Sequence, residues 1–287
     1  MRRYDFVTVD VFTDRRFGGN PLAVFPDARG MTTAEMQALA AEFNLSETTF
    51  VLPPADPANT AQVRIFTRTR EMPFAGHPNV GTGFVLADRA VSGVLRFEEI
   101  AGLVEVRLQD GITTIAAPQP LTLGAEFPAA TIALCAGLEP WEVVTDRHAP
   151  VLASVGNPFV LAEVEPAALG RAAPDFAAFR AALAAAPALE GRLALYLYAR
   201  EGAGVRARMF APLGGTLEDA ATGSAATPLA ALLLHLSGEA EGSWDITQGV
   251  EMGRPSLLRT TARRGPDGIR ATVGGGCVPV LRGEALL

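Results

Sequence analysis

The residues of this chain that could move a proton stand in short polar turns beside apolar segments. Glu47 lies between a predicted helix and a predicted strand, next to apolar positions that would partly bury it. A half-buried carboxyl group has a raised pKa and can both take and give a proton near neutrality, as an isomerase requires. His77 could hydrogen-bond a substrate or a developing enolate. The alternatives are that Glu47 is an exposed residue of a turn, and that His77 is a histidine at a helix start whose hydrogen bonds are made within the protein.

A second polar turn, residues 218–225, precedes the apolar run 226–236. We predict Ser224 as the N-cap of a helix that must be covered on all sides, because its sequence leaves no polar face. A helix N-terminus carries partial positive charge and free N–H donors, which suits an anionic ligand. Asp219, just ahead of this end, could hold a substrate amino or hydroxyl group, or could hydrogen-bond local amides instead.

The same pattern occurs earlier, where the turn 71–78 precedes the mostly apolar run 79–87. Three matches relate the two halves at separations of 137, 144 and 147 residues: Gly19-Asn20-Pro21 with 156–158, Arg64 with Arg208, and Gly76 with Gly223. The matches occur in the same order in both halves, and their separations increase steadily along the chain, which predicts a duplicated domain. Gly76 and Gly223 would let the backbone approach a ligand, although a tight turn would also select glycine.

The length of 287 residues also suits two domains. We predict an N-terminal domain over residues 1–120, completed by the C-terminal strand of about 269–287, and a C-terminal domain over 121–268. The net charge of −7 argues against nucleic acid or an anionic membrane as partner. The chain contains no lysine, which excludes a pyridoxal phosphate Schiff base, a lysine general base and a P-loop.

The histidines and cysteines give no sign of a metal site or a disulfide. The three histidines are far apart in sequence, so we expect no metal. Cys135 and Cys277 do not occupy equivalent places in the two halves, and we expect both to be free thiols. The sequence shows no apolar signal segment and no apolar run of the ~18 residues that span a membrane. We therefore expect a soluble, cytoplasmic protein.

Five motifs, in order along nearly the whole chain, resemble those of the phenazine-biosynthesis PhzF family. They are residues 19–25, 44–48, 73–78, 218–225 and the segment from Gln248 through 253–256. The resemblance implies an α+β, duplicated diaminopimelate-epimerase-like fold: two mixed β-barrels, each wrapped round a central helix, with the active site in the cleft between them. It also implies a homodimer and a cofactor-independent isomerase that acts on a small anionic metabolite of the dihydro-hydroxyanthranilate type.

The resemblance also implies roles for seven residues. Glu47, as general acid and base, would be catalytic together with His77 and Asp219, while Gly76, Gly223, Ser224 and Asn20 would bind the substrate. Related epimerases use one cysteine from each half, but the corresponding stretches here, 74–76 and 221–223, contain none. We therefore do not expect two-thiol racemisation.

Three positions depart from the family pattern, and two alternatives to this isomerase stay open. Ala220 stands where the family usually has Pro. Asn79 stands where the family often has Thr, and Arg68 where it often has Pro. Because Asn79 and Arg68 lie next to motif residues, these two departures bear on the substrate more than on the mechanism. Arg254, with the Pro and Ser after it, is interpreted as structural or interfacial. The alternatives are a catalytically silent small-molecule-binding protein of the same fold and an epimerase or racemase of a related acid. Retention of Glu47, His77, Asp219 and Ser224 together favours an enzyme.

Overall fold

A computed structural model describes residues 1–202 and 204–287 of the chain. The chain divides into two units. The first unit comprises Met1–Ala116 and Val273–Leu287, and the second comprises Ala117–Thr272. Both consist mainly of strands with a few helices, so the protein belongs to the α+β class.

The first unit opens with eight strands and two α-helices. The sequence Thr32-Thr33-Ala34-Glu35 predicts a capping box, and helix α1 begins with it: the Thr32 hydroxyl accepts from the Glu35 N–H, and the Glu35 carboxylate accepts from the Thr32 N–H. The elements are β1 Arg3–Val11, β2 Asn20–Phe25, α1 Thr33–Phe43, β3 Thr48–Leu52, β4 Ala61–Phe66, β5 Glu71–Met72, α2 Gly76–Val85, a 3-10 turn Ala87–Arg89, β6 Val94–Glu99, β7 Gly102–Gln109 and β8 Ile112–Ala116.

The second unit follows with ten strands and four α-helices. Its elements are β9 Thr122–Glu126, α3 Ala129–Ala136, a 3-10 turn Pro140–Glu142, β10 Val143–Val144, β11 Val151–Ser154, β12 Pro158–Val164, α4 Pro166–Leu169, α5 Phe176–Ala185, a 3-10 turn Pro187–Leu189, β13 Leu195–Glu201, β14 Gly204–Ala211, a 3-10 turn Pro212–Gly214, β15 Thr216–Asp219, α6 Gly223–Ser237, β16 Glu241–Gln248, β17 Ser256–Gly265 and β18 Gly268–Gly275. Strand β18 crosses the boundary between the units after Thr272, and the last strand, β19 Cys277–Leu286, belongs to the first unit.

Strand pairing follows the same scheme in both units. In the first, β1 and β2 are antiparallel, β2 and β3 parallel, β3 and β4 antiparallel, β4 and β6 parallel, and β6 and β7 antiparallel. The second unit repeats these relations in the same order with strands β11, β12, β13, β14, β16 and β17. Strand β19 also pairs antiparallel with β1 along its length.

One helix in each unit is buried on nearly all sides. Helix α2 is buried from Gly76 to Gly83 and contacts β1, β2, β3, β7 and β8 of its own unit. Its glycines permit this close packing, because a Cβ atom at Gly81 would lie 2.6 Å from a Leu22 methyl carbon. Helix α6 is buried at eleven positions between Gly223 and Leu234 and packs on β11, β12, β16 and β17. The predicted all-round burial of this helix is confirmed.

Several local predictions need correction. Ser224 is not the N-cap of α6, because the helix begins at Gly223 and Thr222 precedes it. The Thr222 hydroxyl makes no capping bond, since it donates to the Asp219 carboxylate instead. The Pro-, Leu- and Gly-rich composition of residues 118–128 predicts a linker, but this segment contains strand β9. The C-terminal strand predicted over about 269–287 is two strands, β18 and β19, separated by Gly276.

None of the described helices combines the length and the apolar character needed to cross a membrane.

Candidate active site

The first group of predicted site residues comes together where α1 gives way to β3. Helix α1 ends at Asn44, whose left-handed backbone (φ 53°) turns the chain, and its N–H still donates to the Ala40 carbonyl. Glu47 follows immediately before β3. Its Oε2 lies 3.4 Å from Nδ1 of His77, and the two side chains are 19% and 6% exposed. The structure therefore places this carboxyl and this imidazole in contact in a largely buried position.

His77, the second residue of α2, is a neutral imidazole. Burial lowers its pKa to about 3, and the nearby Pro21 backbone offsets this only in part. A neutral imidazole has one donor and one acceptor nitrogen. Nδ1 faces Glu47, while Nε2 is buried and has no hydrogen-bond partner among the described residues. The contact therefore brings the Glu47 carboxyl group next to a neutral imidazole rather than a cation.

Asn20 lies beside the same segment. It is the first residue of β2 and is buried, and the Ser46 hydroxyl donates to its Oδ1 at 3.2 Å. Gly19 before it has a φ of +62°, and a Cβ there would lie 2.3 Å from the Val11 carbonyl oxygen, so only glycine fits. The structure thus places Asn20 next to the chain segment that carries Glu47.

The two predicted site glycines, Gly76 and Gly223, occupy the same place in their units. Each is the first residue of the buried helix, α2 and α6 respectively. Neither is among the described residues with positive φ. A left-handed turn is therefore not the reason for glycine at these positions.

The second unit holds the other predicted residues in the turn between β15 and α6. Asp219 ends β15, and its Oδ2 accepts a hydrogen bond of 2.6 Å from the Thr222 hydroxyl. The fully buried Gln248 organises the turn, since its Nε2 donates to the Asp219 carbonyl at 2.8 Å and to Thr222 Oγ1 at 3.0 Å. Its Oε1 accepts from the Thr222 N–H at 3.1 Å and from the Tyr196 hydroxyl at 3.0 Å.

A second support fixes the middle of this turn. The Ser256 hydroxyl donates to the Ala220 carbonyl at 2.9 Å. Gly249 (φ +76°) passes so close that a Cβ would lie 2.5 Å from the same carbonyl oxygen. These contacts agree with the structural interpretation of the segment around Arg254. Ser224 lies in the first turn of α6, half-buried.

Sequence reasoning gave no role to three residues of this network. Gln248 and Thr222 were each part of a family motif without an assigned function of their own. Tyr196 carried no signal at all, because tyrosines in a mostly apolar strand are typical of a core.

The cysteines are poor proton carriers. Both are free, and burial raises the pKa of Cys135 to about 11 and that of Cys277 to about 12. Almost no thiolate is therefore present at neutral pH. Among residues 1–202 and 204–287, no group of three or more His, Cys, Asp or Glu side chains is arranged to hold a metal ion.

Comparison with known proteins gives full-length matches. Residues 9–283 match the family model described as phenazine biosynthesis-like protein. An uncharacterized isomerase from Mesorhizobium japonicum is 39% identical, with both chains covered completely. The trans-2,3-dihydro-3-hydroxyanthranilate isomerase of Pseudomonas aeruginosa is 37% identical, again over 100% of both chains. The crystal structure of a PhzF-family protein from Bacillus anthracis matches with a TM-score of 0.89 over 100% of both chains, and at 22% identity this shows the fold alone.

The full-length relatives at 37–39% identity are named isomerases, and the prediction of an isomerase is confirmed. The family model spans all the motifs on which the resemblance rested, from the glycine-containing turn before β2 to the segment after Gln248. This chain belongs to the phenazine biosynthesis-like PhzC-PhzF family.

Proposed function

We propose that this isomerase moves a proton within a small carboxylic acid without a cofactor, and that Glu47 takes and returns the proton. The observation that carries the proposal is the buried contact of 3.4 Å between Glu47 Oε2 and His77 Nδ1. A carboxyl group that must act as base and then as acid benefits from a neutral partner, because a fixed cation would hold it ionised. His77, with its pKa lowered to about 3, is such a partner.

The imidazole suits both states of the carboxyl group. An ionised Glu47 accepts the Nδ1–H of His77, which leaves the Nε2 lone pair as an acceptor. A protonated Glu47 donates to Nδ1 of the other tautomer, whose Nε2–H can then stabilise negative charge developing on a substrate oxygen. The distance of 3.4 Å is long for a hydrogen bond, as catalytic contacts often are before a substrate binds.

The substrate class follows from the relatives. Three Pseudomonas enzymes at 36–37% identity are named trans-2,3-dihydro-3-hydroxyanthranilate isomerase, so this acid is the first candidate. In this proposal the N–H groups of Gly76 and Gly223, at the starts of α2 and α6, and the Ser224 hydroxyl bind the substrate carboxylate. Asp219 holds its amino or hydroxyl group, and Asn20 completes the set of polar contacts.

Each unit is further proposed to wrap its strands into a barrel of mixed strands around its buried helix. The support is that α2 contacts strands from both ends of the pairing order in its unit, β1 and β2 as well as β7 and β8. Such wrapping would keep the first turn of the helix rigid, because strands would surround it.

The test is deuterium incorporation. The protein is incubated in D₂O with trans-2,3-dihydro-3-hydroxyanthranilate, and carbon-bound deuterium is followed by NMR. We expect Glu47→Gln to lower exchange by about 10²–10⁴-fold, the usual contribution of a general acid or base. The matched control is Glu42→Gln, an exposed carboxylate of α1, which should keep full exchange. Undiminished exchange in Glu47→Gln would contradict the assignment, and bound ligand without exchange at any pH would favour the silent binding protein.

Substrate contacts are tested separately by thermal shift with small cyclic acids. A true ligand stabilises the folded protein according to its occupancy. We expect Asp219→Ala and Ser224→Ala to abolish the stabilisation, while Asp245→Ala, an exposed position of β16, should not. Equal shifts in all four proteins, or stabilisation only by uncharged compounds, would refute the anion site.

A further inference from the structure

The Thr222 hydroxyl has a single proton, and the hydrogen bonds around it fix where that proton points. Gln248 Nε2 donates to Thr222 Oγ1 at 3.0 Å. Because an amide nitrogen is a donor only, the hydroxyl oxygen must be the acceptor of this bond. The hydroxyl proton then points at Asp219 Oδ2, which lies 2.6 Å from Thr222 Oγ1. The Thr222 side chain is therefore a committed donor to the Asp219 carboxylate.

Two backbone groups fix the orientation of the Gln248 amide. Its Oε1 faces the Thr222 N–H at 3.1 Å, and its Nε2 faces the Asp219 carbonyl at 2.8 Å. A backbone N–H only donates and a carbonyl only accepts, so turning the amide over would break both bonds. The Tyr196 hydroxyl donates to the same Oε1, and it stays protonated because burial and the Asp219 charge raise the pKa of Tyr196 well above its usual range. The donors of Tyr196, Gln248 and Thr222 thus form one chain directed at Asp219.

The bond between Thr222 and Asp219 also connects the carboxylate to the start of α6. Its length of 2.6 Å is that of a charge-assisted bond from a hydroxyl to a carboxylate, which is about twice as strong as a neutral one. The Thr222 carbonyl accepts from the N–H groups of Ala225 and Ala226 at 3.0 and 2.9 Å. Thr222 therefore holds Asp219 with its side chain and the first turn of α6, which carries two proposed substrate-binding residues, with its backbone.

The first unit lacks both partners of this bond. In the match of the two halves at a separation of 147 residues, Met72 stands at the position of Asp219 and Ala75 at that of Thr222. Helix α2 nevertheless begins at Gly76, and neither α2 nor α6 has a side-chain capping bond. The buried helix therefore forms without a hydroxyl at this position. The acid and its donor occur together in one unit and are absent together from the other, which links the threonine to the acid rather than to the helix.

We propose that Thr222 is a positioning residue whose hydroxyl holds the Asp219 carboxylate ionised and oriented toward the amino or hydroxyl group of the substrate. Asp219 contacts the substrate, and Thr222 acts only through Asp219. The inference rests on the proposed function for its effect on turnover, whereas the effect of Thr222 on the Asp219 carboxyl group is measured without a substrate.

The first experiment titrates the Asp219 carboxyl group. The full chain is labelled with ¹³C-aspartate and followed by NMR from about pH 3 to 8, and Asp219→Asn identifies the signal. Loss of a donor to an ionised carboxylate raises its pKa, so the Asp219 midpoint should rise by about one pH unit in Thr222→Val. Thr222→Ser keeps the hydroxyl and should titrate like the wild type. The matched control is Thr227→Val, which removes a buried hydroxyl of α6 that donates to the Gly223 carbonyl at 3.1 Å and should leave the midpoint unchanged.

The second experiment measures turnover by deuterium exchange into trans-2,3-dihydro-3-hydroxyanthranilate. A displaced binding group lowers the rate because the substrate is no longer held in its reactive position, and we expect a loss of about 10–10²-fold in kcat/KM for Thr222→Val. Thr222→Ser should recover most of the wild-type rate, since it restores the donor.

An unchanged Asp219 midpoint in Thr222→Val, an equal rise in Thr222→Ser, or full turnover by Thr222→Val would overturn the proposal. Should Thr222→Val fail to fold, Thr222→Ala removes the same hydroxyl without placing a methyl group against the Gln248 amide, and the same titration decides. A raised midpoint in Thr222→Val, with no isomerase activity of the wild type on any acid, would reject the proposed function and leave the bond between Thr222 and Asp219 established.

Discussion

Replacing Gln248 by Leu should destabilise the second unit severely while preserving side-chain volume. The Gln248 side chain makes four hydrogen bonds, at 2.8, 3.0, 3.0 and 3.1 Å, all inside the protein. A typical buried hydrogen bond contributes about 1 kcal/mol net, and partners left buried without water cost more. Because the leucine regains some apolar burial, we expect a loss of about 3–4 kcal/mol in the free energy of unfolding.

Urea denaturation followed by tryptophan fluorescence measures this loss selectively. Both tryptophans, Trp141 and Trp244, lie in the second unit, so the signal reports that unit. With a denaturant slope of about 2 kcal/mol/M, the midpoint should fall by about 1.5–2 M. The control is Gln119→Leu, at an exposed position of the same unit, which should change stability by less than about 0.5 kcal/mol. A loss below about 1 kcal/mol in Gln248→Leu would refute the view that this amide holds the Asp219 turn.

Two further predictions concern the arginine–glutamate pair in each unit and the two cysteines. Arg208→Met should cost about 3–5 kcal/mol, because the Arg208 side chain is only 8% exposed and, besides pairing with Glu218, donates to the Leu169 and Ala172 carbonyls. Arg64→Met, at a side chain that is 21% exposed and pairs with Glu71, should cost about 1 kcal/mol. Urea unfolding followed by circular dichroism distinguishes the two, and equal losses would contradict the argument from burial. Cys135 and Cys277 should react with a thiol reagent at pH 8 only after unfolding, because burial raises both pKa values to about 11 or 12; rapid labelling of the native protein would contradict this.

Local rules predicted those elements whose determinants are close in sequence. The capping box of Thr32 and Glu35 was correct, because both partners lie within one helical turn. The covered helix α6 was correct as well, since an apolar run without a polar face permits little else. The N-cap assignment of Ser224 failed because Gln248, distant in sequence, binds Thr222 and fixes where the helix begins.

The site itself was only partly predictable. Glu47 and His77 were identified individually through the family resemblance, but no spacing rule shows that two residues so far apart touch. The hydrogen bond from the Tyr196 hydroxyl to Gln248 was hidden for a related reason, because it joins two residues 52 positions apart in sequence.

The pairing of β19 with β1 has a consequence for how the chain folds during synthesis. These strands lie on either side of the second unit in sequence, and Arg2 and Leu287 exchange backbone hydrogen bonds of 2.7 and 3.0 Å. Strand β1 is therefore translated long before its partner β19. The uninterrupted second unit can form in the meantime, which reverses the usual N-terminal-first order. Until then one edge of β1 is unpaired and open to chaperones or to aggregation. Because the termini meet, a circular permutant that links them and opens an exposed loop should remove this delay.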